Sequence, residues 1–578
     1  MTHFPQQRDR LQPPETFFDA LPLSLADGIL ATSPRKLSIV RGDLDFPSKS
    51  DALLRSMSTL PKTASDRVAD STSQVLTAQS AAAPSSMERW WTIADLTVLG
   101  VYSTLVFWTI QYHEKWADEA QAWLIARDLD LRTIWFHELR YEGSPGLWHT
   151  ILWVAQHVFH ARYGALSFLG ASCAVAGVVA LLFVSPFPRP IRWLMALSYF
   201  FIYQYAVIAR SYVLFPLFCL VAARQFRDLR RPQLFALTLV PLANLTAHGS
   251  LMAFGLALAY AFRFATQWSQ HDDKTRKWFL ISAVGLVLMY LFLFVILLPA
   301  ADVEATHHSD LTASVIPFRS FESISGALVD NKWMSVGVLC IFAAWCFLRR
   351  ALTSFLLPVA LMVGLYVYAN GWPHQQGTIF LAIITGLAIA WPSENERHGF
   401  DSRALWAYRV VVATLAAMLC YQAYVASITI RNEVRLPYSG AEDMAKYLEP
   451  LVVQGKVICG YQYGMVGINA YFNHNIFANL HRAYYHHALS EFDPGTVFHQ
   501  IRASGADYIV LQWLDSPDGT KFKQGLQVPM AKWGYSLDHV SDGYMLTKAG
   551  YTYRQIYLAF RKSTPGEGNA RSQFDPDK

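Results

Sequence analysis

Trp116–His149 reads WADEAQAWLIARDLDLRTIWFHELRYEGSPGLWH. It follows the first membrane-length apolar run and opens with an adjacent acidic pair, Asp118 and Glu119. Two amphipathic pieces come next, then a Pro145-Gly146 break. Carboxylates set against a bilayer are costly and mark functional positions by default. Ala122, Ile125, Ala126 and Leu129 recur at i, i+3, i+4 and i+7, which predicts an amphipathic helix over 119–130 lying on the membrane. Asp118 stands at its start. One reading makes Asp118 the N-cap, with Gln121 completing a capping box. Another makes it a base, or a metal-assisted acceptor of charge, that activates a hydroxyl or amide nucleophile. The two are compatible, because a cap position fixes a carboxylate rigidly.

The composition around this stretch is that of a membrane protein. The chain has 578 residues, 53% hydrophobic and 16% charged, with a mean hydropathy of +0.21. Soluble domains carry about 25% charged residues, and the apolar residues here cluster in long runs. The net charge of +5 is spread over many loops with no basic stripe, which argues against nucleic-acid binding. The six cysteines contain no C-x-x-C pair, so neither a disulfide framework nor a thiolate metal site is indicated. The first apolar run starts near Trp91, and no secretory signal peptide precedes it. Residues 1–88 read as a disordered cytosolic tail, or as the product of a start codon placed upstream of a protein beginning near Met87.

Candidate spans are 93–112, 164–185, 191–209, 211–228, 233–249, 250–266, 278–299, 334–349, 351–370, 376–392 and 404–429. The run 147–159 is short for a crossing, which needs about 20 residues. If it does not cross, the basic clusters at Arg189/Arg192, Arg224–Arg231, Lys274–Lys277 and Arg349/Arg350 all fall inside, and the acidic loops 113–145 and 301–332 both fall outside. The expectation is a polytopic α-helical membrane domain over 89–431 with about eleven crossings, N-terminus cytoplasmic. It carries an external loop 113–163, with 147–159 lying in the interface. From Asn432 the composition changes. A helix over 440–449, short strands at 456–459 and 507–511, and a helix over 496–503 suggest an extracytoplasmic α/β domain over 432–562. Residues 563–578 read as disordered.

Arg210 ends the third expected span, and its planar fork suits a phosphate or diphosphate; the alternative is an interfacial arginine reaching headgroups. His248 and His374 fall at external span ends and suit a lipid phosphate, a sugar hydroxyl or a metal, or else packing alone. His307-His308 is a weaker metal candidate, and His481, His486 and His487 in HRAYYHH read as exposed polar residues.

The acidic pair in the first external loop, the helix after it and Tyr141-Glu142-Gly143-Ser144-Pro145-Gly146-Leu147-Trp148 together resemble the GT-C superfamily of membrane glycosyltransferases. That superfamily includes oligosaccharyltransferases, protein O-mannosyltransferases, aminoarabinose transferases and the RgtA/B/C/D-like group. The last group shows a His-Pro-Pro-Leu-like break after its acidic pair; Ser144-Pro145-Gly146-Leu147 stands in its place here. Tyr203–Tyr212 resembles the family's second external loop but lacks an acid there. The resemblance covers Trp91–Pro232 in detail and is architectural beyond. It implies Asp118 and Glu119 as catalytic residues, with Arg210, Tyr212 and His374 as ligands of the donor phosphate. Glu142 and His248 would line the same cavity. The implied partners are a polyprenyl-phosphate-linked sugar and a glycan, lipid or protein acceptor in the cell envelope, with membrane lipids around them. No cofactor is fixed; a divalent metal ion is compatible with the family, and the sequence does not decide it.

No Walker A loop, G-x-G-x-x-G after a strand, G-x-S-x-G elbow or H-E-x-x-H is present. A lipid-linked donor therefore fits better than a cytosolic nucleotide sugar. The alternatives are a transporter or flippase of lipid-linked sugars, which more often shows two matched halves, and a non-catalytic scaffold of envelope-polysaccharide assembly.

Overall fold

The computed structural model describes residues 86–303, 315–369, 375–461, 463–488, 499–501, 503–515, 530–548 and 550–563. Both expected disordered tails lie outside these residues, apart from the few that border them, as do His307-His308, His374 and part of 496–503. The chain divides at Thr97/Val98, and before that division only Ser86–Thr97, the first half of helix α1 (Ser86–Thr109), is described. Everything below concerns the unit from Val98 onward.

The helical body follows the apolar runs. After α1 come α2 (Ala117–Asp128), α3 (Leu147–His157), α4 (Ala165–Phe183), α5 (Arg189–Ala196), α6 (Phe215–Phe226) and α7 (Pro232–Ala243). Then follow α8 (Ala247–Thr266), α9 (Asp273–Leu297), α10 (Val315–Ala327), α11 (Lys332–Leu348), α12 (Leu352–Ala369), α13 (Gly377–Ala390) and α14 (Ser402–Glu433). Among the described residues, five helices are long and apolar enough to cross a membrane, and six if α10 and α11, bent by 76°, form one broken span. Shorter apolar helices at 211–226, 232–243, 352–368 and 377–390 accompany them. The 147–159 run is helical over only eleven residues.

Two expected spans differ in kind. The segment 191–209 is not one helix: α5 ends at Ala196, a π-helical turn spans Phe200–Gln204, and the chain then runs without helix to Arg210. Phe200, Phe201, Tyr203 and Tyr205 are all buried here. Non-helical backbone at membrane depth is tolerated where protein encloses it and satisfies its polar groups. The boundary expected at 249/250 falls instead at Asn244–Thr246, because the Thr246 hydroxyl accepts from the Gly249 N–H at 2.9 Å and caps α8.

α2 also departs from the expectation. Its N-cap is Trp116, and the N3 residue Glu119 reaches back to the Trp116 N–H at 3.3 Å. Asp118 is therefore inside the first turn, and Gln121 takes no part in the cap. The helix does not lie on a membrane surface: Ala117 and every residue from Glu119 to Ala126 are buried. It is enclosed by α3 and by the Met465–Asn469 turn.

The C-terminal region holds α15 (Ala441–Val453) and a four-stranded mixed sheet of order β1-β2-β4-β3. β1 (Ile458–Tyr461) runs parallel to β2 (Tyr508–Asp515), while β4 (Gly550–Lys562) is antiparallel to β2 and to β3 (Tyr535–Thr547). The two short strands were expected; the long β3–β4 hairpin was not. One sheet face packs on α15 through Met444, Leu448, Val510 and Tyr557, and the other buries Ile509, Ile556, Leu558 and Phe560. Met545 and Leu546 near the hairpin tip join the core of the helical body. There the Lys548 N–H donates to the Tyr199 hydroxyl at 3.1 Å, and its ammonium to the Gly326 carbonyl at 2.6 Å.

Candidate active site

Successive residues on an α-helix point about 100° apart, and the first turn of α2 uses this to send its two carboxylates different ways. Asp118 faces Arg210: Oδ2 lies 2.8 Å from the guanidinium, and both side chains are 22% exposed. The Tyr463 hydroxyl donates to Asp118 Oδ1 at 3.1 Å. The Arg210 guanidinium stands over the rings of Trp116 and Tyr212, 5.7 and 5.6 Å from their centroids. Burial raises the Asp118 carboxyl above its ordinary range, against the opposing pull of Arg210 and Tyr463.

Glu119 is fully enclosed. It accepts the Ala209 N–H at 2.7 Å and lies 2.9 Å from His113 Nε2. The other ring nitrogen of His113 is 2.9 Å from Glu433 Oε1, and the Tyr203 hydroxyl donates to the second Glu433 oxygen. An imidazole between two carboxylates donates from both nitrogens and is therefore an imidazolium. Burial disfavours that charge, but Glu119 and Glu433 outweigh it and raise the His113 pKa. Burial likewise opposes ionising Glu119, yet His113 and the Ala209 N–H hold its carboxyl below the ordinary range. The break after Gln204 supplies this N–H: Ala209 has left the helix, and Glu119 takes the place of a helical acceptor.

A third carboxyl stands behind the pair. Gly143, at φ 60°, ends the Leu139–Glu142 helical turn in the left-handed region, as glycine does at low cost. Glu142 accepts from the Gln121 side chain at 2.8 Å and lies 3.9 Å from His487 Nε2. Burial pushes the Glu142 carboxyl up to about 8, with Glu138 and Asp118 adding to the rise. Gln121 also clasps the Tyr485 backbone, donating to its carbonyl at 2.6 Å and accepting its N–H at 2.9 Å. His486 Nδ1 lies 2.9 Å from Glu138 Oε1.

The structure thus brings Asp118, Glu119, Arg210, Tyr212 and Glu142 to one end of the helical body. His248 joins them from behind, sharing a 3.1 Å hydrogen bond with the Tyr212 hydroxyl and lying buried beside the Tyr366 ring. His374 lies outside the described residues. The expectation that HRAYYHH is exposed is corrected: His481 is exposed, but His486 and His487 are buried against the acidic loop. His113, Glu433 and Tyr463 were not singled out from sequence. His113 and Glu433 each sit where an apolar run meets polar chain, which is a readable signal; Tyr463 offers none. Among the described residues no group of three or more His, Cys, Asp or Glu is placed to hold a metal ion.

Neither a protein-family model nor a curated protein matches the chain. Among solved structures it is similar to ArnT from Cupriavidus metallidurans bound to undecaprenyl phosphate. The identity is 13%, over 81% of this chain and 98% of that one, with a TM-score of 0.45. That likeness is too distant to carry residue roles across.

Proposed function

We propose that this chain is a membrane glycosyltransferase of the GT-C type. It moves a sugar from a polyprenyl-phosphate donor to an envelope glycan, lipid or protein acceptor on the extracytoplasmic face, with inversion. The observation that carries the reading is the Asp118–Arg210 pair: a partly exposed carboxylate and a guanidinium 2.8 Å apart, fixed at one end of a bundle of apolar helices. Arg210 binds the donor phosphate and stabilises the negative charge that grows on it as the sugar–oxygen bond breaks. Asp118, released from part of its ion pair as the phosphate engages Arg210, accepts the proton of the attacking hydroxyl or amine. Attack and departure on opposite sides of the anomeric carbon invert its configuration.

Glu119 has its oxygens committed to His113, Ala209 and Trp116, so in this reading it positions Asp118 and Arg210 and does not touch substrate. Glu142, protonated near neutral pH, donates a hydrogen bond to a sugar or acceptor oxygen. The test is transfer from a polyprenyl-phosphate-linked sugar in membranes carrying wild-type or Asp118→Asn protein, with mass spectrometry of envelope lipids and glycans in a deletion strain naming the product. Normal insertion with lost transfer supports the proposal; unchanged transfer by Asp118→Asn overturns it.

A further inference from the structure

A cavity lies at the other end of the helices that carry the Asp118–Arg210 pair. α4, α6 and α13 each begin near that pair: Tyr163 lies before α4, Tyr212 before α6, and Gly377 of α13 packs on Tyr205. Their far ends, at Phe183, Phe226 and Ala390, surround a cavity of about 750 Å³. α4 alone has 19 residues, so the two sites stand about 28 Å apart along the bundle, roughly the hydrocarbon thickness of a bilayer.

Six arginines line this cavity: Arg189, Arg192, Arg224, Arg227, Arg231 and Arg397. Only Asp228 and Glu394 oppose them among its lining residues. Glu394 is held by Arg397 at 3.1 Å, and the Asp228 carboxylate accepts the backbone N–H of Arg230 at 3.0 Å. Arg192 is a structural member, bonded to the Phe187 and Leu182 carbonyls at 2.5 Å. Arg224 and Arg231 are exposed and Arg227 half-buried. The N-terminus of α5 opens here with no side chain capping it, which adds the positive end of a helix dipole. Phe183, Phe187 and Trp391 form apolar walls. Cationic residues at helix ends are ordinary orientation signals, but those lie on open loops. Here they converge on one concavity with more positive charge than its own acids neutralise.

We infer that this cavity is a binding site for a phosphate-bearing anion, with its arginines on the phosphate and its aromatic walls beside an apolar flank. The headgroup of an anionic membrane lipid and a free phosphate or diphosphate share this chemistry. The inference is independent of the proposed transferase activity.

The test uses full-length protein in nanodiscs of purely zwitterionic lipid, and reads thermal unfolding as inorganic diphosphate is added or phosphatidylglycerol is introduced. A ligand that binds the folded state raises Tm by mass action. The control is Arg224→Gln/Arg231→Gln, exposed positions whose replacement leaves the fold intact; an Arg227→Gln variant is measured beside it. A rise with phosphatidylglycerol alone, lost in the double variant, identifies a lipid headgroup. A rise with diphosphate, lost in the double variant and kept in Arg210→Gln, identifies a soluble phosphate at this end of the bundle. Equal responses of wild type and both cavity variants to both additives overturn the inference and leave the arginines as orientation signals.

Discussion

Asp118 keeps about a fifth of its side chain exposed and faces one cation, while Glu119, one residue on, is enclosed and joined to three partners. The two were equal candidates as a sequence motif. The helix separates them: one keeps part of its surface exposed, the other points into a network tying α2 to the end of α1, to the 205–210 segment and to α14. Under the proposed function the adjacent acidic pair is a division of labour, in which the second carboxylate fixes the backbone from which the first acts.

The largest expected effect tests the exposed half. Asp118→Asn lowers turnover by about 10²–10⁴-fold, the usual weight of a general base, while stability in nanodiscs changes by about 1 kcal/mol or less, as for other partly exposed ion pairs. Glu119→Ala breaks the enclosed half. It leaves His113 and the Ala209 N–H without their acceptor and costs about 3–5 kcal/mol, since one partner of a buried charged pair is removed. Thermal unfolding checks this, and a Glu119→Ala protein as stable as wild type would erase the contrast. Arg210→Lys keeps charge but loses the planar fork. The donor KM rises roughly tenfold or more, from the loss of a charge-assisted hydrogen bond of about 1.5–3 kcal/mol, read from initial rates against donor concentration.

Glu142 gives a test in pH. Its carboxyl holds its proton in the folded protein up to about 8, above the unfolded value of 4.5. Between those values the unfolded chain has released a proton that the folded chain retains, so stability falls as pH rises through this window. Glu142→Gln removes that contribution and flattens the slope; an unchanged slope means Glu142 is already ionised. The smallest effect belongs to Tyr463→Phe, which deletes one hydrogen bond to Asp118 worth about 0.5–1.5 kcal/mol and lowers the rate by roughly tenfold at most.

The acidic loop and the apolar helices were legible because they rest on local signals: an acidic pair beside an apolar run, span length and loop charge. These signals put Asp118 and Arg210 on one side of the membrane, and only the tertiary fold brings them to 2.8 Å. Helix continuity was less so. The 191–209 run is apolar apart from Arg192, Ser198 and Gln204, and hydropathy cannot register that its backbone breaks where Glu119 supplies an outside acceptor. The N-cap was misplaced by two residues, since Trp116 makes no side-chain cap and the box works through Glu119 alone. The β3–β4 hairpin went unseen although YSLDHVSDGYMLT and GYTYRQIYLAFRK are rich in strand formers. Tyr463, His486 and His487 approach the loop only through the tertiary fold, which no short motif encodes.

Glu114 shows what such long-range ties mean for making the protein. Its carboxylate accepts the N–H groups of Gly440 at 2.9 Å and Glu442 at 2.6 Å, capping α15 across 326 and 328 residues of chain. Gly440 meets it at φ 71°, a conformation in which few other residues rest easily. At about 5–20 residues per second, a ribosome takes tens of seconds to travel from one end of that contact to the other. Through that interval the acidic loop is already made without the Glu433 partner of His113 or the Tyr463 contact to Asp118. Assembly of the site therefore waits on the C-terminal region, and a chain cut just after Glu433 holds helices α1–α14 but lacks the Gly440, Glu442 and Tyr463 partners of the loop.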